Sequence, residues 1–463
     1  MCSHVPNRLT VAARRRARRL AYWNGGLWAI GNGLASTLLV VYLALELNSP
    51  GLGVGIGLIL AAPNLVGALR MAAPTLIGRL GDRKQFCIGS FLASALVLAG
   101  LPLLAAPDRL GAARDSLAVL ISLWCVYHLF QYLATVALWS WLADLVRLPI
   151  RGRFIGRRER WMVLGQAAGM LAAALHTWGV HAIDPGGARW VAYALPALVG
   201  VGFMLAAVIP LGSMSRADTS ALGQRRAMAQ APDKIKSARR RMKWSTLLSP
   251  FRDGPFRRLL LFGCWFSLFN GITNPAVSVY PAQVLGFGLA TMLALKTVMR
   301  LGQWALSPTA GRLADRLGNR PVLLASLLMV AQGPLCYFLA VPGRGWWIAV
   351  AWVVWIAYAG LNVALPNLML TLSPEESNTP HIAVYFTVSG LCCAASTIAG
   401  GAIHDHFRDA AFVLPGGIVG GYFACLFLFG WIMRMLGAVV LLTVVEPRFT
   451  TKSTKKRSRS GRA

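Results

Sequence analysis

Apolar residues in this chain fall in long runs, not in the alternating pattern of strands or the striped pattern of surface helices. Twelve stretches stand out, at residues 22–46, 52–77, 86–106, 116–145, 161–183, 191–212, 258–285, 287–310, 321–341, 346–372, 381–403 and 418–445. Each is close to the roughly 20 residues needed to cross a hydrocarbon layer. Backbone groups in lipid must be satisfied within their own segment, so these runs predict helices. The first run follows Arg14, Arg15, Arg16, Arg18 and Arg19. It is too long for a signal peptide and has no small-residue cleavage site, so it is read as a retained span. The longest hydrophilic interruption falls near the midpoint. It divides the chain into a basic N-terminus (1–21), a six-helix bundle (22–212), a basic linker (213–257), a second six-helix bundle (258–446) and a basic tail (447–463). The expected fold class is an all-α polytopic membrane protein of twelve transmembrane helices.

Composition strengthens that reading. Hydrophobic residues make up 56% of the chain and charged residues only 13%, against about 45–50% and about 25% in soluble domains. A soluble enzyme and a disordered chain are both excluded. The formal net charge is +30, which in a soluble protein would suggest a nucleic-acid partner. Here the placement of the cations explains it. Of the 46 Lys and Arg, 37 fall in the termini, the linker and the loops after spans 2, 4 and 8; five fall in the opposite loops and four within spans. This bias sets orientation. Both termini and the linker are expected in the cytoplasm of a plasma (inner) membrane protein, with no nucleic-acid partner. The cysteines lie mostly in apolar runs and form no metal-ligand spacing, which reads as small buried side chains.

The hexapeptide Gly78-Arg79-Leu80-Gly81-Asp82-Arg83 recurs as Gly311-Arg312-Leu313-Ala314-Asp315-Arg316 in the second half. Each copy follows an even-numbered span. With this repeat the chain resembles the major facilitator superfamily of transporters, whose signature turn runs Gly-x-x-x-Asp-Arg-x-Gly between spans 2 and 3 and again between 8 and 9. The second copy fits through Gly318 and Arg320; the first has Gln85 where glycine is expected. The segment around Asp144 and Arg147, with Arg151-Gly152-Arg153, resembles the family's turn after span 4. The resemblance implies two pseudo-symmetric six-helix bundles. It also implies a conformational gate of Gly78, Asp82, Arg83, Asp144, Arg151, Gly311, Asp315 and Arg316. In that gate Asp82 would cap the start of span 11 near Asn378–His381, and Asp315 the start of span 5 near Glu159–Trp161, where a helix N-terminus favours negative charge.

The resemblance further implies a central cavity lined by spans 1, 4, 7 and 10. Polar residues at mid-span are therefore the substrate-binding candidates: Asn32 in span 1, His128 and Gln131 in span 4, Asn270 and Asn274 in span 7, and Asn362 in span 10. Their alternative role is interhelical hydrogen bonding, worth about 0.6 kcal/mol each in membranes. Charges within spans are costlier and usually face a cavity or a partner. Lys296 and Arg300 are four apart on one face of span 8, and Arg70 lies on the equivalent span 2. These three are candidate anion-recognition groups; their alternative role is to bind helix-end carbonyls at the interface. Arg434, in span 12, is expected to pack away from the cavity. No carboxylate sits at mid-span, so proton coupling has only Glu46, near the outer end of span 1, and more weakly His128 as candidates.

These features lead to a secondary active transporter of a small anionic or polar organic solute, working by alternating access as a monomer in the bilayer, without cofactor or metal. His404-Asp405-His406 is too sparse for a metal site, and no phosphate-binding loop is present. A non-transporting sensor on the same scaffold is the alternative. A membrane enzyme lacks a cluster of acid and base residues.

Overall fold

The computed structural model describes residues 11–71, 83–106, 112–145, 148–184, 189–214, 249–373, 379–413 and 419–446. Among the described residues, each of the twelve expected spans contains helix. Span 1 is Val11–Leu34 continued by Thr37–Leu47 after a break at Ala35 and Ser36. Span 2 is Leu52–Gly67, ending in a 3-10 turn at Ala68–Met71. Spans 3 to 6 are Arg83–Leu104, Ala113–Leu145, Leu148–Ile183 and Arg189–Gly212. Spans 7 to 9 are Gly254–Gln283, Leu289–Leu317 and Asn319–Leu339. Span 10 is Trp347–Val354 and Tyr358–Leu372 joined by a 3-10 turn. Spans 11 and 12 are Thr379–Phe407 and Tyr422–Leu442. Because spans alternate in direction, one face of the bundle carries both chain ends; it is called here the terminal face, and the opposite one the far face.

Eight of these helices are long and apolar enough by themselves to cross a membrane. The other four are spans 2, 5, 7 and 8. Span 2 is described only as far as Met71, and the rest are diluted by polar residues. Several boundaries differ from the hydropathy reading. Span 1 starts at Val11, not near 22, and span 8 runs on to Leu317, through the Gly311–Arg316 hexapeptide expected to form a turn. Span 5 starts at Leu148, not near 161, because an arginine-rich stretch without an internal proline simply continues the helix; its 36 residues extend about 54 Å. Span 12 starts at Tyr422, because Val419–Gly421 pairs antiparallel with Ala411–Val413 in a short ribbon.

Packing repeats between the halves with an offset of six spans. Span 1 packs on spans 5 and 6, as span 7 packs on 11 and 12; span 3 packs on 4 and 6, as span 9 packs on 10 and 12; span 2 packs on 4, as span 8 packs on 10. The halves meet through span 2 against span 11 and span 5 against span 8. Helix ends repeat as well. Lys84, at the start of span 3, donates to the carbonyls of Gly212 and Met214 at the end of span 6. Arg320, at the start of span 9, donates to Leu442 at the end of span 12. In each half a cation covers otherwise unpaired C-terminal carbonyls.

Lipid tails are as apolar as leucine, so helices here associate by close packing and hydrogen bonds. Asn32-Gly33 in span 1 and Asn270-Gly271 in span 7 illustrate this. A Cβ at Gly33 would lie 2.3 Å from the Gln166 carbonyl in span 5, and one at Gly271 would lie 2.7 Å from the Cys393 carbonyl in span 11. Gly169 is equally constrained, since its Cβ would meet the Ile30 carbonyl at 2.1 Å. Replacing Gly169 with Val should push spans 1 and 5 apart and cost about 1–3 kcal/mol. An unchanged melting temperature of the detergent-purified variant would contradict this.

Candidate functional site

A cavity of about 350 Å³ lies between the halves. Span 7 supplies Asn270, Asn274 and Ser278; span 8 supplies Lys296, Arg300 and Gln303; span 10 supplies Tyr358 and Asn362; span 12 supplies Arg434. Among the described residues the first half contributes Thr37, Leu38 and Leu60. Five sequence candidates, Asn270, Asn274, Asn362, Lys296 and Arg300, therefore share one chamber. Arg434 joins them, which corrects the expectation that it packs away from the cavity. Residue spacing placed it on span 12, but only the fold shows that this face of span 12 looks inward past span 7.

The cations are held in different ways. Arg434 is 2% exposed and donates to the Thr273 hydroxyl. Thr273 in turn donates to the Phe269 and Asn270 carbonyls. Arg300 Nη1 donates to Gln303 Oε1 at 3.4 Å, and Gln303 Nε2 is anchored on the Trp355 carbonyl at 3.1 Å. The Nε atoms of Arg300 and Arg434 are buried without a partner. Tyr358 donates to Asn270 Oδ1 at 3.4 Å. No carboxylate lines the chamber among the described residues. Desolvated charge of one sign normally needs a counter-charge, and the described lining of the chamber supplies none.

The remaining candidates lie elsewhere. Asn32 donates to the Tyr127 hydroxyl at 3.1 Å and accepts from Gln166 at 3.5 Å, tying spans 1, 4 and 5 together. His128 packs edge-on against Trp124 and Tyr127, with Nε2 unpaired. Neither Asn32, His128 nor Gln131 lines the chamber. Glu46 faces Arg189 at 3.7 Å at the far face. Arg70 falls in the 3-10 turn after span 2.

Of the gate residues, Gly78 and Asp82 lie outside the described residues. Arg83 opens span 3, Asp144 is in the last turn of span 4, and Arg151 is in the first turn of span 5. Gly311 is half-buried in span 8, while Asp315 and Arg316 are exposed in its last turn, with no ion pair among the described residues. The expected Asp315 cap on span 5 is not formed, because Glu159–Trp161 lie inside a helix that began at Leu148. The carboxylate cap at this turn comes from Glu446, which accepts from the backbone N–H of Asn319 at 3.0 Å and of Arg320 at 2.8 Å. Gly318 permits it: its φ is +94° and an added Cβ would lie 3.1 Å from Glu446 Oε2.

The far face carries latches between the halves. Asp405, near the end of span 11, accepts from the backbone N–H of Gly53 at 2.7 Å and of Val54 at 2.8 Å. It thereby caps span 2 across the interface, which accounts for the acid in His404-Asp405-His406 without a metal. Gly53 and Gly401 make this approach possible, since a Cβ on Gly401 would lie 2.2 Å from the Gly53 carbonyl. Tyr42 of span 1 adds a 2.6 Å bond to the Phe287 carbonyl after span 7.

Hydrogen bonds to a charged group contribute about 1.5–3 kcal/mol, and each 1.4 kcal/mol is about a tenfold change in an equilibrium. Asp405→Ala should therefore favour opening at the far face by tenfold or more. In a cysteine-free background carrying Leu60→Cys, an impermeant maleimide added to the far face should label the chamber faster. Equal labelling rates with and without Asp405 would remove its role as a latch.

Residues 259–459 match the sequence pattern of the Major Facilitator Superfamily. The class E tetracycline resistance protein of Escherichia coli is 35% identical over 118 residues, a stretch that covers 24% of this chain and 25% of that protein. The chain thus spans about a quarter of the length of that relative. In three dimensions it is similar to the xylose transporter XylE from E. coli in an inward-open conformation, with a TM-score of 0.63, 16% identity and coverage of 95% of this chain and 98% of that one. It is also similar to the nucleoside transporter NupG, with a TM-score of 0.62, 12% identity and coverage of 94% and 100%. Residues 259–459 thus match the Major Facilitator Superfamily, and nearly the whole chain is similar in fold to these solved transporters.

Proposed function

We propose that the protein is a secondary active transporter that carries a small organic anion across a membrane by alternating access. The observation that carries this reading is the chamber itself, in which Lys296, Arg300 and Arg434 converge with Asn270, Asn274 and Asn362 and, among the described residues, no carboxylate. A cation trio in a membrane interior is expensive unless a bound anion offsets it. The relatives are named for transport or resistance, and the chain's own fold supports movement of the two halves about such a chamber.

The distribution of contacts supports a direction for the conformation seen. Asp405 and Tyr42 tie the far face across the halves, whereas Asp315 is unlatched at the terminal face. With the 37-to-5 cation bias placing the terminal face in the cytoplasm of a plasma (inner) membrane, this arrangement is inward-facing. The two bundles, 22–212 and 258–446, rock about the chamber, and Gly78, Asp82, Arg83, Asp144 and Arg151 close the cytoplasmic side in the opposite state. Asn32, outside the chamber, then serves as a hinge contact among spans 1, 4 and 5.

The test begins with ligand stabilisation of the purified protein. A ligand at 100 times its dissociation constant raises native-state stability by about 2.7 kcal/mol. The best organic anion is then assayed for counter-flow in proteoliposomes. Arg300→Gln and Arg434→Gln should each lower counter-flow by about tenfold or more, since either removes a charge-assisted contact worth at least 1.4 kcal/mol. Full activity in both variants would refute the anionic reading, and binding without any counter-flow would favour a sensor.

A further inference from the structure

We infer that the transported anion is amphipathic: an organic acid whose carboxylate lies against the second half and whose apolar body lies against the first. This rests on the reading of the chamber as an anion site and adds the class of anion.

The chamber is chemically lopsided. Among the described residues, every charged group that lines it comes from spans 8 and 12, and its asparagines come from spans 7 and 10. The described part of the first half presents one hydroxyl, Thr37, and the side chains of Leu38 and Leu60. Apolar walls continue on the second half through Val277, Met292 and Met299. Methionines at such a surface adapt to an irregular ligand outline. Trp352 and Trp355 are 7% and 8% exposed and give aromatic edges to the same chamber. Asn32, His128 and Gln131, which could have made the first half polar, are absent from the lining.

Two physical consequences follow. A fully hydrophilic anion, such as a sugar acid, would bury hydroxyls against Leu38 and Leu60 without partners. That costs more than their contacts on the polar side regain. An anion with an apolar body removes both ligand and wall surface from water. The volume sets the size. At about 30 Å³ per water the chamber holds roughly a dozen waters, and hence an acid of about a dozen non-hydrogen atoms.

The experiment uses the purified full-length protein in detergent and three probes of similar size. These are 3-phenylpropionate, its neutral amide 3-phenylpropionamide, and gluconate. Binding is read by thermal stabilisation and by titration calorimetry. The expected order is 3-phenylpropionate well above both others, with Arg300→Gln weakening 3-phenylpropionate but not the amide. Leu60→Asn should weaken 3-phenylpropionate by about tenfold, the size of discrimination an apolar pocket contact gives, and should leave gluconate unchanged or improve it. Both variants must melt cooperatively near the parent; if Leu60→Asn does not, Leu60→Ala replaces it, with the same expected direction for 3-phenylpropionate. Gluconate binding as tightly as 3-phenylpropionate would overturn the amphipathic inference while leaving the anion site standing. Equal binding of acid and amide would overturn the anion site itself. Binding by none of the three would overturn the inference.

Discussion

Positive charge that has no protein counter-charge governs this molecule. Lys296, Arg300 and Arg434 meet in a chamber within the membrane-spanning part, and no carboxylate shares it among the described residues. Local dipoles hold the two arginines. Gln303 orients Arg300, and Thr273 receives Arg434 while passing its own proton to backbone carbonyls. These contacts fix geometry without neutralising charge. The unsatisfied remainder is what supports the proposal of the chamber as a recognition site.

The scaffold around the chamber repeats one solution twice. Asn32-Gly33 and Asn270-Gly271 occupy equivalent helices, and in both the glycine lets a neighbouring backbone approach closely. The asparagines have diverged. Asn32 is used up by Tyr127 and Gln166, while Asn270 faces the chamber beside Tyr358. Lys84 and Arg320 show the same duplication at the helix ends. Duplication thus preserved packing and allowed one half to specialise in polar recognition, leaving the other half with an apolar wall.

Latches at the two faces use the same chemistry, a carboxylate on free N–H groups at a helix start. At the far face Asp405 reaches from span 11 to span 2 and so joins the halves. At the terminal face Glu446 reaches from the end of span 12 to span 9 and stays within one half. The first kind must break when the halves separate, and the second need not. That difference, read from which spans are joined, distinguishes a gate from a brace.

Hydropathy alone determined the number of spans and the side on which cations collect, because a bilayer penalises exposed backbone and misplaced charge residue by residue. The repeat of Gly78–Arg83 as Gly311–Arg316 made the two-fold architecture legible, although the second copy is the helical end of span 8 and the turn itself is made at Gly318. Lys296 and Arg300 were found because helical spacing puts them on one face. Arg434 was misjudged, and Asn32, His128 and Gln131 were put forward for a chamber they do not line, because sequence gives depth in a span but not the azimuth of one helix against another. The start of span 5 was missed because charged residues hide a helix from hydropathy, and with it went the expected cap by Asp315. Which polar groups face the same chamber, and which carboxylate meets which helix end, depends on packing between segments hundreds of residues apart; only the tertiary structure decides that.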